Sequence, residues 1–286
     1  MVCGELMNQD SMMIQPSPLF TIAESDKDHT IRVVKLPASL LEQIWMSLTP
    51  KEQSVNKMKR WFLYKLDNPP LSFVLKKLPA CEDHIKLVKG HGLSQPVKIP
   101  RWLEFDLGYI MGAIRDGGIY HDKKSQAYKI HFAQKDRRYL EVEIVPRLDR
   151  LFGVSPVITK RPDGVHQIQL ASKPLYLFLS KVFQMQEIQQ YWETPDLVRT
   201  APKVVKKAYI RGFHDAEGSS DHLYHSWYRE GFCEPLQFIS DVLNNEFNIR
   251  TTAPLRTKTN DEFDRFPAYQ LFINDYTSFK REILDR

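Results

Sequence analysis

Cysteine is scarce, with three residues in 286, at Cys3, Cys81 and Cys233, and no CxxC spacing among them. Lone, widely separated thiols exclude a disulfide framework and the usual cysteine zinc sites; they read as reduced thiols of a cytosolic protein. Long apolar runs are missing as well. No stretch approaches the ~20 residues that cross a bilayer as a helix, and the N-terminus lacks a signal-peptide pattern. A cytoplasmic protein with no membrane partner is expected. A large excess of one charge is also absent: 40 Lys and Arg stand against 35 Asp and Glu, a net +5 and a pI near 8.9. That mild basicity suits a nucleic-acid partner and is equally compatible with a solvated surface. Hydrophobic content of 42% and charged content of 26% are those of a globular chain, and the length predicts two or three compact units.

The stretch that organises the rest is Ala208 to Gly218 (AYIRGFHDAEG). Tyr209, Gly212, Phe213 and Ala216 recur at helical spacing and give one face. Gly212 in mid-helix costs roughly 1 kcal/mol against alanine, which is tolerable where a second backbone must approach closely. Asp215 and Glu217 sit in the last turn, where the helix dipole favours cations, so a bound divalent cation would account for them. A partial copy lies upstream at Leu107 to Gly118 (LGYIMGAIRDGG), with Gly112 as its close-packing glycine. The segments C-terminal to the two copies also correspond: residues 136–154 match 231–249, and 167–178 match 269–279. The repeat is stronger evidence than either motif alone.

Ile210 to Gly218 (IRGFHDAEG) resembles the nine-residue signature of the LAGLIDADG homing endonucleases, and the paired arrangement is similar to their single-chain, pseudo-symmetric members. The resemblance spans residues 100–286. It implies two αββαββα halves whose motif helices meet at the interface, and two curved sheets that straddle double-stranded DNA. It also implies metal-dependent hydrolysis, with Mg2+ or another divalent cation held by the last acid of each motif, and a role in intron or intein homing. By position Glu217 takes the second acid's place. In the first motif, counting from Gly112 puts Gly117 there, with Asp116 one residue early. The expected catalytic residues are Asp116 and Glu217, with Asp116, Glu217 and Gly117 as the metal positions. Gly112, Gly212 and Asp215 are expected to pack or brace the motif helices. A shift of one residue turns a helical side chain by ~100°, which an unwound helix end can offset.

Ahead of this region, residues 31–36 read as a strand, and Leu40, Leu41, Ile44, Trp45 and Leu48 as a helix. Thr49-Pro50-Lys51-Glu52 starts a second helix expected to run through Phe62, since Thr49 can cap it and Pro50 suits its first position. Residues 71–78 form a third. With Lys57, Lys59, Arg60 and Trp61 on the middle element, this module is either helix-turn-helix-like or a plain helical cap. The boundaries expected are 1–98 for it, 99–192 for the first half and 193–286 for the second.

Residues 119–134 alternate around a polar turn as a β-hairpin, and Arg161-Pro162-Asp163-Gly164 turns a second. Between them Asp136 to Leu151 is helical, with Pro146 a candidate kink. The hairpins carry the DNA-binding candidates: Lys123, Lys124, Lys129, Lys135, Arg137, Arg138, Lys160 and Arg161, with Arg250, Arg256 and Lys258 in the other half. Tyr120, His121, Gln126, Tyr128, His131, Gln167 and Gln169, with His222, Tyr224, His225, Trp227 and Tyr228 in the other half, are candidate readers of base edges. His214, His222 and His225 match no zinc spacing. Ser219 and Ser220 lack a charge-relay pattern.

The expected protein is thus α+β, a monomer associated with the nucleoid. It is a nuclease on a long duplex site or, as the alternative, a sequence-specific DNA-binding regulator that kept the fold and lost cleavage.

Overall fold

The structure, a computed structural model, describes residues 10–34, 36–65, 67–90, 95–115, 117–187, 192–221, 225–230, 232–257 and 268–285. The N-terminal part comprises β1 (Met12–Met13), α1 (Pro18–Ser25), β2 (Arg32–Val34), α2 (Ala38–Met46), α3 (Pro50–Ser54), α4 (Asn56–Met58), α5 (Leu71–Lys77) and β3 (Leu87–Lys89). Thr49 and Glu52 form the reciprocal cap the sequence suggested, and Lys77 reaches Glu52 at 2.7 Å to tie α3 to α5. The second helix is not continuous, contrary to expectation. Val55 is extended (φ −73°, ψ 121°), so α3 ends and a new helix starts at Asn56, passing through a π-helical turn at Lys59–Leu63. Trp61 is buried rather than presented outward, against Phe62 and Phe73.

This part is knitted to the rest of the chain. β1 pairs with β4 (Trp102–Leu103), and β2 pairs with β3. Asp26, buried, accepts from Lys173 Nζ at 2.6 Å and from the Ile31 amide at 2.6 Å. A paired, hydrogen-bonded carboxylate is the form in which a buried charge is tolerated.

Then come α6 (Phe105–Ala113), β5 (Gly117–Asp122), β6 (Ala127–Gln134), α7 (Arg137–Tyr139), α8 (Val145–Phe152), β7 (Ile158–Lys160), β8 (His166–Ala171) and α9 (Lys173–Leu177). Taking α7 and α8 as one helix, the order is αββαββα. The helix widens into a π-turn at Leu140–Ile144, directly ahead of Pro146, whose missing N–H breaks the normal ladder there. After α10 (Asp196–Arg199) the order recurs: α11 (Lys203–Glu217), β9 (Ser219–Asp221), β10 (His225–Glu230), α12 (Glu234–Glu246), β11 (Leu255–Thr257), β12 (Ala268–Ile273) and α13 (Tyr276–Phe279). The sheets mirror one another, β5-β6-β8-β7 and β9-β10-β12-β11, all antiparallel. In the first sheet Ile119, Ile130, Phe132 and Ile168 are buried on one face under the helices, and polar residues alternate with them on the other.

The two motif helices, α6 and α11, cross at backbone contact. A Cβ added to Gly112 would lie 2.1 Å from the Tyr209 carbonyl oxygen, and one on Gly212 would lie 2.1 Å from that of Tyr109. Gly108 meets the Val205 oxygen at 2.9 Å in the same way. Any side chain at Gly112 or Gly212 therefore drives the helices apart. Gly112→Ala and Gly212→Leu are each expected to lower stability by ~1–3 kcal/mol or more through overpacking. Urea melts read this as a lower midpoint at unchanged slope; midpoints matching the parent would place the helix contact elsewhere.

Candidate nucleic-acid interface and metal centre

Beside the crossing, polar closure is specific. Tyr109, fully buried on α6, donates its phenol to Asp215 Oδ2 of α11 at 2.8 Å. Burial pushes the Tyr109 phenol well above its ordinary value, with Tyr139 and Asp215 adding to the effect. Arg211 approaches Asp215 at 3.8 Å, and the Arg147 guanidinium lies 3.8 Å from the Tyr109 ring centre. Arg147 is itself held by Glu143 at 2.6 Å and Asp106 at 3.3 Å. Asp215 thus spans the interface of the two helices.

The helix ends differ. α11 runs to Glu217, whose side chain is exposed, and Gly218 then turns into β9, where an added Cβ would lie 2.4 Å from the His214 carbonyl oxygen and does not fit. Gln134 of β6 donates to the Ala216 carbonyl at 3.0 Å. It thereby ties the first sheet to the turn that carries Glu217. α6, by contrast, leaves the helix after Ala113, and β5 already begins at Gly117. Gly117 is a strand residue opposite Phe132, and a Cβ there would lie 1.9 Å from the His131 carbonyl. The position thus has no side-chain ligand and no room for one. Asp116 lies outside the described residues. From the central glycine to the first strand residue is five positions in the first half (112 to 117) and seven in the second (212 to 219). The first motif thus reaches its strand two positions sooner than the second. Among the described residues no group of three or more His, Cys, Asp and Glu is placed to hold a metal. His214 is buried against Phe279, His225 lies on β10, and His222 is outside the described residues.

The outward face of the first sheet carries Tyr120, Lys129, His131, Gln167 and Gln169, with Thr159 opposite Gln167. His131 pairs with Gln167 at 3.2 Å, and Gln169 reaches the same oxygen at 3.4 Å. Burial pushes the His131 imidazole below its ordinary value, only partly offset by Gln167, so the ring is neutral near pH 7. Two of the expected base readers point the other way. His121 and Tyr128 stack face to face (4.2 Å) on the helix side, with Tyr128 against Tyr176 and Lys173, because they fall on the buried phase of the alternation.

The basic candidates also separate. Lys123 and Lys124 are exposed in the β5–β6 turn, and Lys135, Arg138, Lys160, Arg250 and Arg256 are exposed. Lys129 is half-buried, bound to Asp122 at 3.3 Å and over the Tyr120 ring; Arg137 pairs with Glu141 and Arg161 with Asp163. Lys258 lies outside the described residues. The residues missed from sequence are Gln134 and Arg115. Arg115 occupies the place that Asp215 has in the other motif, three residues beyond the glycine.

No protein-family model matches the chain. The homing endonuclease I-ApeI of Aeropyrum pernix is 31% identical over 147 residues, 49% of this chain and 65% of that relative, so the chain spans just under two thirds of the relative's length. I-DmoI, solved in complex with DNA and Mn, has the same fold at a TM-score of 0.50 and 24% identity, over 64% of this chain and 97% of that one.

Two outcomes are expected from the geometry. Tyr109→Phe strips a hydrogen bond from a carboxylate at the helix interface, and it is expected to cost ~1.5–3 kcal/mol in a denaturant melt. The second outcome concerns pH. The Asp122 carboxyl is held at about 2, first by the Ser125 hydroxyl, then by the Ser125 amide, Lys129 and the Lys124 amide. Its folded value lies below the ordinary carboxylate value, so its support of the β5–β6 turn is complete above ~4 and lost as pH falls towards ~2. Amide exchange at Lys124 and Ser125 is expected to accelerate across that window and nowhere above it. Asp122→Asn is expected to abolish the pH step.

Proposed function

We propose that the chain belongs to the LAGLIDADG homing-endonuclease family, that it binds a long double-stranded DNA site across its two sheets, and that it hydrolyses phosphodiester bonds there with a divalent cation. The supporting observation is the glycine-mediated crossing of α6 and α11, each helix standing ahead of the first strand of a like-ordered four-stranded sheet. In this reading the outward face of each sheet lies along a major groove, where a β-ribbon fits. The exposed lysines and arginines of the turns contact phosphates, which gives affinity. Tyr120, neutral His131, Gln167 and Gln169 face the base edges, which gives choice.

The donors present fit magnesium. Such sites use one or two protein carboxylates and complete the shell with water and substrate phosphates, and Glu217 is an exposed oxygen donor at a helix end. Glu217 and Asp116 would hold the cation. When bound, it polarises the scissile phosphate and lowers the pKa of an attacking water. Gln134, through the Ala216 carbonyl, keeps the Glu217 turn from unwinding away from the first sheet. Asp215 is a brace, committed to Tyr109 and Arg211 rather than to the phosphate.

A second reading has its own observation: Gly117 leaves the first motif without a carboxylate in register, as befits a DNA-binding regulator that does not cut. One assay distinguishes them. Parent, Asp116→Asn and Glu217→Gln proteins are incubated with magnesium and a randomised long-duplex library, and bound and cut fractions are sequenced separately. The nuclease reading expects a double-strand break from the parent, lost in both variants, with affinity kept or raised because a negative charge facing phosphate is removed. Enriched binding without cut product from the parent would leave the regulator standing. In either reading duplex affinity is expected to fall at least ~tenfold between roughly 50 and 200 mM salt by counterion release. Flat affinity, or a preference for single strands, would remove the sheet-to-groove arrangement itself.

A further inference from the structure

The DNA-binding reading uses the outward face of the first sheet but not its edge. β8 is six residues long, yet β7 pairs with only its first three, the ladder ending where Ile158 stands opposite Ile168. Beyond that point the chain that would continue β7 turns away: Val157 is 77% exposed, and Val154 is buried in the core. The ladder itself dictates which backbone groups are left open. The Ser172 amide donates to the Tyr128 carbonyl at 2.9 Å, so the even-numbered residues of β8 bond to β6. The Arg161 amide donates to the Val165 carbonyl at 2.8 Å, so the odd-numbered residues bond towards β7. The Gln169 carbonyl and the Ala171 amide and carbonyl therefore face the vacated track. None of these groups has a hydrogen-bond partner among the described residues.

A groove of about 420 Å³ lies along this edge, lined by Gln169, Leu170 and Ala171 of β8, by Gln95 and Val97, and by residues 154–157. Gln169 and Ala171 are exposed, so the edge is open to solvent. Val97, Val154, Leu170 and Leu175 supply the apolar part of the groove. Among the described residues no charged side chain lines it, although 26% of the chain is charged. Open edges are ordinarily blunted by lysine, by proline or by a covering element. Here the one such residue, Pro156, stands on the departing segment and not on β8. The volume falls within the range of small-ligand sites, ~300–1,000 Å³.

We propose that this groove binds an extended, uncharged peptide segment, which adds to β8 as the missing part of the β7 track. A carbonyl, an amide and a carbonyl in a row along one strand edge are complemented by extended backbone. In the antiparallel sense, the residue opposite Ala171 donates to its carbonyl and accepts from its amide, and the residue opposite Gln169 donates to that carbonyl. The residue between them lies opposite Leu170 and shares its face of the sheet. Its side chain meets Leu170, Val154 and Leu175, and is therefore apolar. The two flanking side chains point the other way, alongside Gln169, and are polar. A lining without cations gives a phosphate nothing to pair with, and a charge in the central position would be desolvated without a partner. The ligand is thus neutral polypeptide and not nucleic acid.

The test uses the full chain without DNA, so its outcome is independent of nuclease activity. The probe is acetyl-Ser-Thr-Val-Thr-Ser-amide, titrated while amide shifts and exchange are followed by NMR. Saturable binding is expected, with a dissociation constant on the order of 1 mM. The Ala171 amide is expected to exchange at least ~tenfold more slowly at saturation, while that of Leu170, already bonded to β6, stays as it was. Methylating either threonine nitrogen removes a donor to β8 and is expected to weaken binding at least ~tenfold. Methylating the valine nitrogen, which faces away from β8, is expected to leave affinity within ~threefold. Glutamate or lysine in place of the valine should weaken binding at least ~tenfold. Ala171→Pro removes an amide that bonds nothing in the chain, so it is expected to abolish binding at an unchanged Tm; if that variant does not fold, the methylated peptides decide alone. No saturation at ~10 mM overturns the proposal. So does binding that leaves Ala171 exchange unchanged, that ignores which nitrogen is methylated, or that a charged peptide matches. Slow Ala171 exchange in the peptide-free chain, lost on dilution, would give the edge to a second copy and overturn it as well.

Discussion

The close crossing of α6 and α11 is the constraint on which the rest depends. With carbonyl oxygens of each helix resting on the other's glycine, the interhelical distance is set by backbone atoms and not by side chains that could repack. Each helix leads directly into the first strand of its own sheet. Fixing the crossing therefore fixes where both sheets begin and how they are turned relative to one another. Packing of backbone on backbone has no slack, because glycine is the one residue that fits and any added methyl meets an oxygen.

The crossing is symmetric, but the helices that make it are not. α11 continues through Glu217, whereas α6 gives up its helix at Ala113, and its chain is already a paired strand by Gly117. Holding both glycines at the crossing forces the difference into the segment between glycine and strand. The first half thus loses two positions there, and the aligned position of the acid falls inside a strand, against the His131 carbonyl.

Much of this was legible in the sequence because it is encoded locally. Glycine at helical spacing announces a close crossing, turn residues announce the hairpins, and the repeat announces that the arrangement occurs twice. The features that were not legible depend on register and partners. His121 and Tyr128 look like Tyr120 and His131 in a list of polar and aromatic residues; only the pairing of β5 with β6 puts the first pair under the helices. Lys129 counts as a free cation until Asp122, seven residues away across the turn, is seen to hold it. The break at Val55 followed no glycine or proline, so helical spacing carried the reading through it. Gln134 could not be singled out, since its partner is a backbone carbonyl 82 residues away.

Polar closure at the crossing shows what a duplicated scaffold leaves behind. Two tyrosines in equivalent positions must each satisfy a hydroxyl in a place closed to water. In one half a carboxylate does so, and it also braces the helix that carries Glu217. In the other an arginine stands at that position, and Tyr209 Oη has no hydrogen-bond partner among the described residues. An exchange of acid for base at a buried site changes more than one bond. It reverses the sign of the local field and takes away the acceptor that the phenol would use. The half that departs from the motif at the acid's place, by ending its helix early, is the half that departs from it at the brace. Both departures lie in residues 113–117, between the fixed glycine and the fixed strand. That is the stretch in which the crossing and the sheet leave the chain free to differ.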